Sequence, residues 1–305
     1  MDRGISPRVT NTVDLGSASK VWRKLYATEI NLPTEQSASF LNTLHNAFAP
    51  DAGASHNSIY RGAEINDDWA TIQANIQAGD FENYYIGDYK EITLTTGEKV
   101  VMEIAGISNY KNHGDTAIGN HLDFISRDCL QGAKQWNATA TNNGTADEKR
   151  PWLASDLYQA LNDESTGVFA KLPSDLKSAI IPKRALLEER YSAAGAITAD
   201  SSWSWADAGK LWLPTEIEVF GHPVWSEPGY GTGGGGCNKQ YPIFMGNSKH
   251  LIKGDGNGGS RVYWWLLSVY RVGASGVCCV SGYGYAGHAS AAGTGIRAPL
   301  CFRIG

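Results

Sequence analysis

Residues 262–305 read VYWWLLSVYRVGASGVCCVSGYGYAGHASAAGTGIRAPLCFRIG. Three apolar runs stand out, at 262–269, 276–280 and 296–304, each of strand length and parted from the next by glycine-bearing turns. The tandem Trp264-Trp265 belongs in a core, because an indole buries a large area and has one N–H to satisfy. Beyond Asp255 the chain contains no Asp, Glu, Lys, Gln or Met. From Leu266 onward the formal charges are Arg271, Arg297 and Arg303, with His288 titratable. Acid–base catalysis by paired carboxylates is impossible within such a stretch. Calcium finds no hard carboxylate oxygen there either. What remains is Tyr, Ser, Gly, Ala, Cys, His and Arg, close to the composition of an antibody paratope, where Tyr supplies rigid contact area and Ser and Gly adaptable hydrogen bonding.

Working outward, 254–260 is a flexible glycine-rich run and 196–236 is loop-rich. The run Gly231-Thr232-Gly233-Gly234-Gly235-Gly236 lacks the Gly-Lys-Ser/Thr ending of a phosphate loop. Asn66-Asp67-Asp68 caps a helix that carries Trp69, Ile72 and Ile76 on one face and ends at Gly79. Strands are expected over 84–92 and 99–107. A helix from Ser155 buries Leu157 and Leu161, and another from Ser174 turns Leu176 and Ile180 inward. Helices followed by short strands and long loops define an α+β class.

At 305 residues the chain exceeds one average domain. Residues 1–50 hold too few apolar side chains to bury a core alone, and the main domain is expected over 56–305. A net charge of −5 gives no basic footprint, so nucleic acid is not an expected partner. No apolar run reaches the roughly 20 residues that span a bilayer, and MDRGISPRVTNTVDLG has no secretory h-region. Five cysteines, Cys129, Cys237, Cys278, Cys279 and Cys301, form no CxxC pair and read as mostly buried thiols of a protein made in a reducing cytoplasm.

Two resemblances sharpen this reading. LGSASKVWRKLYATEIN, residues 15–31, resembles the "LGs-s..W..lYa..i" repeat of phage tail-fibre proteins. His56-Asn57-Ser58-Ile59-Tyr60-Arg61-Gly62, then Tyr85-Ile86-Gly87-Asp88-Tyr89, then Leu211-Trp212-Leu213-Pro214-Thr215-Glu216-Ile217-Glu218-Val219-Phe220-Gly221, follow a recurring order. The series closes on Tyr263-Trp264-Trp265-Leu266-Leu267-Ser268 and Gly295-Ile296-Arg297-Ala298-Pro299. Together these resemble a phage and prophage family with a C-type-lectin fold and a "WWLRS…GvRPaf" ending, over roughly residues 56–305. The family's usual Arg after WWL is Leu267 here, and GvRP has become Gly-Ile-Arg-Ala-Pro.

The resemblance implies a C-type-lectin-like receptor-binding domain with a variable region at about 266–305, of the kind diversified by retroelements. Adenine-directed mutagenesis of Asn codons cannot yield Lys, Glu, Gln, Met or Trp, and none follows Trp265. A neutral, glycine-rich β segment that was never diversified would lack them as well. By this alignment Val277, Cys278, Val280, Gly284, Ala286, Gly295, Ile296 and Arg297 are scaffold. The displayed, ligand-binding set is Tyr270, Arg271, Val272, Ala274, Ser275, Cys279, Ser281, Gly282, Tyr283, Tyr285, Gly287, His288 and Ala289. Cys278 and Cys279 are then one inward and one outward thiol on a strand, a vicinal disulfide being the alternative. Tyr283 and Tyr285 share a side if their segment is extended, and half-buried packing is the competing role for each tyrosine.

The implied function is a non-enzymatic phage tail protein that binds a bacterial surface receptor, glycan or protein. It would be a homotrimer in the virion, attached to other tail-fibre proteins and needing no cofactor or metal. An enzyme resembling the formylglycine-generating sulfatase activators, a tail depolymerase or a purely structural tail protein are the alternatives. His113-Gly114-Asp115 and His121-Leu122-Asp123 fit no compact metal motif and read as a solvent-exposed loop. Trp203-Ser204-Trp205 either lines a carbohydrate platform or packs locally.

Overall fold

The computed structural model describes residues 54–193, 202–231, 239–256 and 258–305. The tail-fibre-like segment 1–50 and Cys237 lie outside the described residues. Helix α1 (Trp69–Ala78) begins where Asp68 accepts a hydrogen bond from the Thr71 N–H at 2.7 Å and stops at Gly79, whose φ of 77° is left-handed. Its apolar face buries Trp69, Ile72 and Ile76. Trp69 meets Phe124 and Phe302 edge-on at 5.5 and 5.6 Å, so the helix is fastened to the sheet beneath it.

That sheet has five strands in the order β1-β2-β3-β12-β4: β1 Tyr89–Thr93, β2 Lys99–Ile107, β3 Leu122–Cys129, β4 Ile180–Ile181 and β12 Pro299–Ile304. The last strand of the chain thus lies between β3 and β4, paired with both. Helices α2 (Asp156–Asn162, capped by Ser155) and α3 (Ser174–Ala179) sit at the expected places. Ile180 leaves α3 to open β4 instead of continuing the helix. A two-stranded ladder joins β5 (Arg184–Glu189) to β6 (Ser202–Asp207), and a second joins β7 (Lys253–Gly254) to β8 (Arg261–Val262). Strands β9 (Trp264–Val269), β10 (Gly276–Val280) and β11 (Ala286–Ser290) form a three-stranded sheet in the order β11-β10-β9. Every ladder between named strands is antiparallel, and the fold is α+β. Among the described residues no helix is long and apolar enough to cross a membrane.

Helix α4 (Glu216–Phe220) follows the Leu-Trp-Leu-Pro-Thr segment and starts in a capping box. The Thr215 hydroxyl accepts from the Glu218 N–H at 3.2 Å, and Glu218 Oε2 accepts from the Thr215 N–H at 2.8 Å. The other oxygen of Glu218 takes Lys183 and the Tyr110 hydroxyl in the core. Lys183 Nζ also stands 3.9 Å from the centre of the Trp212 ring. Beside this group Arg303 of β12 forks Asp123 of β3 at 2.7 and 2.9 Å, and the Tyr241 hydroxyl donates to Asp123 at 3.0 Å.

His121 and Asp123 are therefore not the exposed loop expected from sequence: both are fully buried. The reason is non-local, since Arg303, Tyr241 and Tyr110 supply from distant segments the partners that polar groups need inside a core. His113 and Asp115 do lie in a loop, where Asp115 pairs with Arg184 at 2.6 Å. Trp203 and Trp205 of β6 are half-buried. Glycine makes room for each, because a Cβ on Gly229 would stand 2.2 Å from Trp203 and one on Gly114 would stand 3.3 Å from Trp205. Both rings thus pack against glycine backbone and keep part of their surface exposed.

Candidate ligand-binding face

Strand β10 is the middle strand of its sheet, and all five of its residues are buried. Trp264 and Trp265 on β9 are fully buried, each tied by its indole N–H, to Leu251 O at 2.9 Å and Lys134 O at 2.6 Å. From this rigid sheet two turns emerge, 270–275 joining β9 to β10 and 281–285 joining β10 to β11. They lie at opposite ends of β10, roughly 17 Å apart for a five-residue strand.

The 270–275 turn is held by its backbone, not by its side chains. Buried Arg190 donates to Tyr270 O at 2.7 Å and Arg271 O at 3.0 Å. Buried Asn142 donates its side-chain N–H to Gly273 O and its backbone N–H to Ala274 O, both at 2.8 Å. Main-chain anchoring of this kind leaves the side chains free to differ without loss of the turn. Arg271, Val272 and Ser275 point to water, Val272 with 73% of its surface exposed, and Ala274 is half-buried. Half-buried Tyr270 folds over Gly276, where a Cβ would come within 2.9 Å of its ring. It stacks on exposed His288 of β11 with centroids 4.0 Å apart and planes 5° from parallel.

Trp225, absent from the sequence-derived set, completes this aromatic group. It meets Tyr270 at 5.9 Å and His288 at 4.8 Å, edge-on to both, and its indole N–H donates to Ala286 O at 3.3 Å. Its loop is fixed by the fully buried Glu216, which accepts from the N–H groups of Val224, Trp225 and Ser226 at 2.8, 2.9 and 2.8 Å and from the Ser226 hydroxyl at 2.8 Å. No short pattern around Trp225 signals this placement, because the anchoring carboxylate belongs to α4.

At the other end, Gly284 adopts φ +84° and Ser281 organises the turn. The Ser281 hydroxyl accepts from the N–H groups of Tyr283 at 3.3 Å and Tyr285 at 3.1 Å, while its own N–H donates to Tyr285 O at 2.8 Å. Tyr283 and Tyr285 are thereby thrown outward, 69% and 72% exposed. They belong to a turn, so strand alternation is not the cause of their shared exposure.

Three members of the displayed set are corrected. Cys279, Ser281 and Gly282 are buried: Cys279 on a central strand covered on both faces, Ser281 inside its own turn, Gly282 against Arg261. Gly287 and Ala289 on β11 are half-buried. The expectation of one inward and one outward thiol fails for the same reason as Cys279. Cys278 and Cys279 are both buried and both free. Burial pushes the Cys278 thiol well above its ordinary value and that of Cys279 up to about 12. Only the thiolate is reactive. Cys129, Cys278, Cys279 and Cys301 should therefore resist alkylation in the native protein and react on unfolding, as read by peptide mapping. Rapid native labelling of Cys279 would show that β10 is open to solvent.

The fold and face define an α+β domain in which a carboxylate-free C-terminal sheet carries its exposed side chains on two anchored turns and an outer strand. A family model described as "Domain of unknown function (DUF6273)" matches residues 123–304, from β3 through β12, and the chain belongs to that family. No curated protein and no solved structure matches the chain.

Proposed function

We propose that this chain is a phage receptor-binding tail protein that presents a changeable ligand-binding surface on a C-type-lectin-like scaffold. The observation that carries the reading is where exposure is concentrated. Val272, Tyr283 and Tyr285 have the highest exposures of any large hydrophobic side chains among the described residues, and all three belong to the two turns that flank the buried strand β10. Exposed aromatic side chains on a rigid base lose little conformational freedom on contact, which is why they dominate binding hot spots. The stretch that displays them contains no carboxylate to repel an acidic cell surface. The virion setting and the trimer rest on the tail-fibre-like repeat at 15–31, and avidity across several copies would multiply weak single contacts. Two buried, protonated thiols lend no support to the sulfatase-activator alternative, which requires reactive cysteine.

The test is adsorption by virions carrying Tyr283→Ala, Tyr285→Ala and His288→Ala together. Loss of exposed hot-spot side chains should reduce host binding by about tenfold or more, with a Tm within about 5 °C of the parent, because Tyr283 and Tyr285 are exposed and the His288 stack is worth about 1 kcal/mol. Undiminished adsorption would remove the adhesin reading.

A further inference from the structure

The motifs at 56–62 and 85–89 have no part in the C-terminal face, yet the fold builds them into one unit. Fully buried Asp88 accepts from Arg61 Nε at 3.0 Å and Nη2 at 2.6 Å, and from the N–H groups of Ala63 at 3.0 Å and Tyr85 at 2.8 Å. This pins the two segments together and sets the Tyr60 ring against Gly87, where a Cβ would stand 2.1 Å from Cε2. A Cβ on Gly62 would stand 3.2 Å from the same phenol. Both glycines hold positive φ, +79° and +70°, so backbone conformation and ring clearance each call for glycine here. The ring thus packs against bare backbone, yet Tyr60 remains 53% exposed.

The rim of this ring is polar. His250 flanks it with centroids 5.2 Å apart, and His250 Nε2 is buried with no hydrogen-bond partner among the described residues. Glu103 lies beneath, 3.5 Å from His250 Nδ1, and accepts from Arg127 Nε at 2.8 Å. The acid is hidden and the cation is not: the Glu103 side chain is 3% exposed and that of Arg127 46%. Among the described residues only the Nε of the Arg127 guanidinium donates to an acceptor, which leaves its terminal nitrogens available. Partial burial first, then the charge of Glu103, raises the Tyr60 phenol while Arg127 pulls it down, so the three share one electrostatic neighbourhood.

We propose that Tyr60, His250 and Arg127 form a binding site for an acidic sugar, its ring stacked on the exposed part of the Tyr60 ring and its carboxylate or phosphate forked by Arg127. The C–H face of a pyranose is apolar and weakly positive, the complement of an aromatic face. A guanidinium with both terminal NH2 groups open can pair bidentately with a carboxylate or a phosphate. The site does not depend on the phage reading and lies outside the C-terminal segment.

The test is titration of the intact chain at low ionic strength with hexagalacturonate for a carboxylate, mannose 6-phosphate for a phosphate, and chitohexaose as the neutral control. At least one acidic probe should bind, and bind better than chitohexaose. Tyr60→Ala and Arg127→Ala should each weaken binding by about tenfold, the scale of a lost anchor, while Tyr60→Phe should retain it because the stacking face survives. Failure of both acidic probes to bind, or equal binding by Tyr60→Ala, would overturn the site. Sugar binding lost in the Tyr283→Ala, Tyr285→Ala double variant but intact in Tyr60→Ala would overturn it as well, while leaving the C-terminal face standing.

Discussion

Replacing Arg303 by alanine is expected to destabilise the domain by about 3–5 kcal/mol, the cost of leaving one partner of a buried ion pair alone. Both side chains of the Arg303–Asp123 pair are essentially without solvent contact, and two hydrogen bonds of 2.7 and 2.9 Å join them. Burial by itself would push the Asp123 carboxyl up, but the charge and hydrogen bonds of Arg303 outweigh it and hold the group below its ordinary value. Without Arg303, Asp123 would keep one hydrogen bond, from the Tyr241 hydroxyl, with neutral His121 and the charge of Lys183 nearby, the latter already paired with Glu218, too little for an anion in the core. Because Arg303 on β12 pairs with Asp123 on the central strand β3, the damage falls on the join between those two strands of the five-stranded sheet. For a domain of this size the loss corresponds to a fall in Tm of roughly 10 °C.

Arg303→Lys should fall between parent and Arg303→Ala, since an ammonium keeps the charge but cannot fork the carboxylate. The combined Asp123→Leu, Arg303→Met variant should lose less than Arg303→Ala alone, because no unpaired charge is left inside. Thermal or urea unfolding of the four proteins checks the series. An Arg303→Ala variant within about 1 kcal/mol of the parent, the range of an exposed pair, would mean that Asp123 is reached by water or neutralised in the native state.

What could be read from sequence divides by how local its cause is. Helix α1 was legible from Asp68 to Gly79 because both caps and the buried stripe lie within a dozen residues. The bounds of β2 and β10 were legible as apolar runs. Helix α4 went unread although Thr215-x-x-Glu218 is a capping-box pattern, a signal that could have found it. The burial of Cys279 was not legible, because alternation along a strand marks a wet face only where one face of the sheet is uncovered. His121 and Asp123 looked like loop residues because the groups that satisfy them come from positions 110, 241 and 303. The grouping of Tyr270 and His288 with Trp225 depends on a carboxylate nine positions earlier in the chain that binds a loop through backbone N–H groups. Residue types announced the chemistry of the face; its grouping into two ends of a sheet needed the tertiary fold.

Acidification should weaken the domain well before its carboxylates titrate, and His121 is the reason. Its Nε2 accepts the Tyr110 N–H at 3.2 Å while Nδ1 lies 2.9 Å from Gly119 O, an arrangement that suits the neutral ring with its proton on Nδ1. A second proton would have to displace the Tyr110 donor. Burial first, and then the charge of Arg303, lower the His121 pKa to about 4, although Asp123 pulls the other way. The 3.8 Å approach of His121 to Asp123 is accordingly no ion pair near neutrality. Between pH 6.5 and pH 4 the unfolded chain binds a proton at this residue that the native state refuses, so stability rises with pH across that window and is lost as pH falls through it. At about 1.4 kcal/mol per pKa unit the full loss is about 3 kcal/mol, of which about 2 kcal/mol should already be gone at pH 5. Urea midpoints measured at pH 7, 6 and 5 would trace this slope. His121→Gln keeps an acceptor for Tyr110 but cannot titrate, so it should be less stable than the parent at pH 7 and markedly flatter between pH 7 and pH 5. Parallel slopes for the two proteins would place the acid sensitivity elsewhere and show that water reaches the His121 ring.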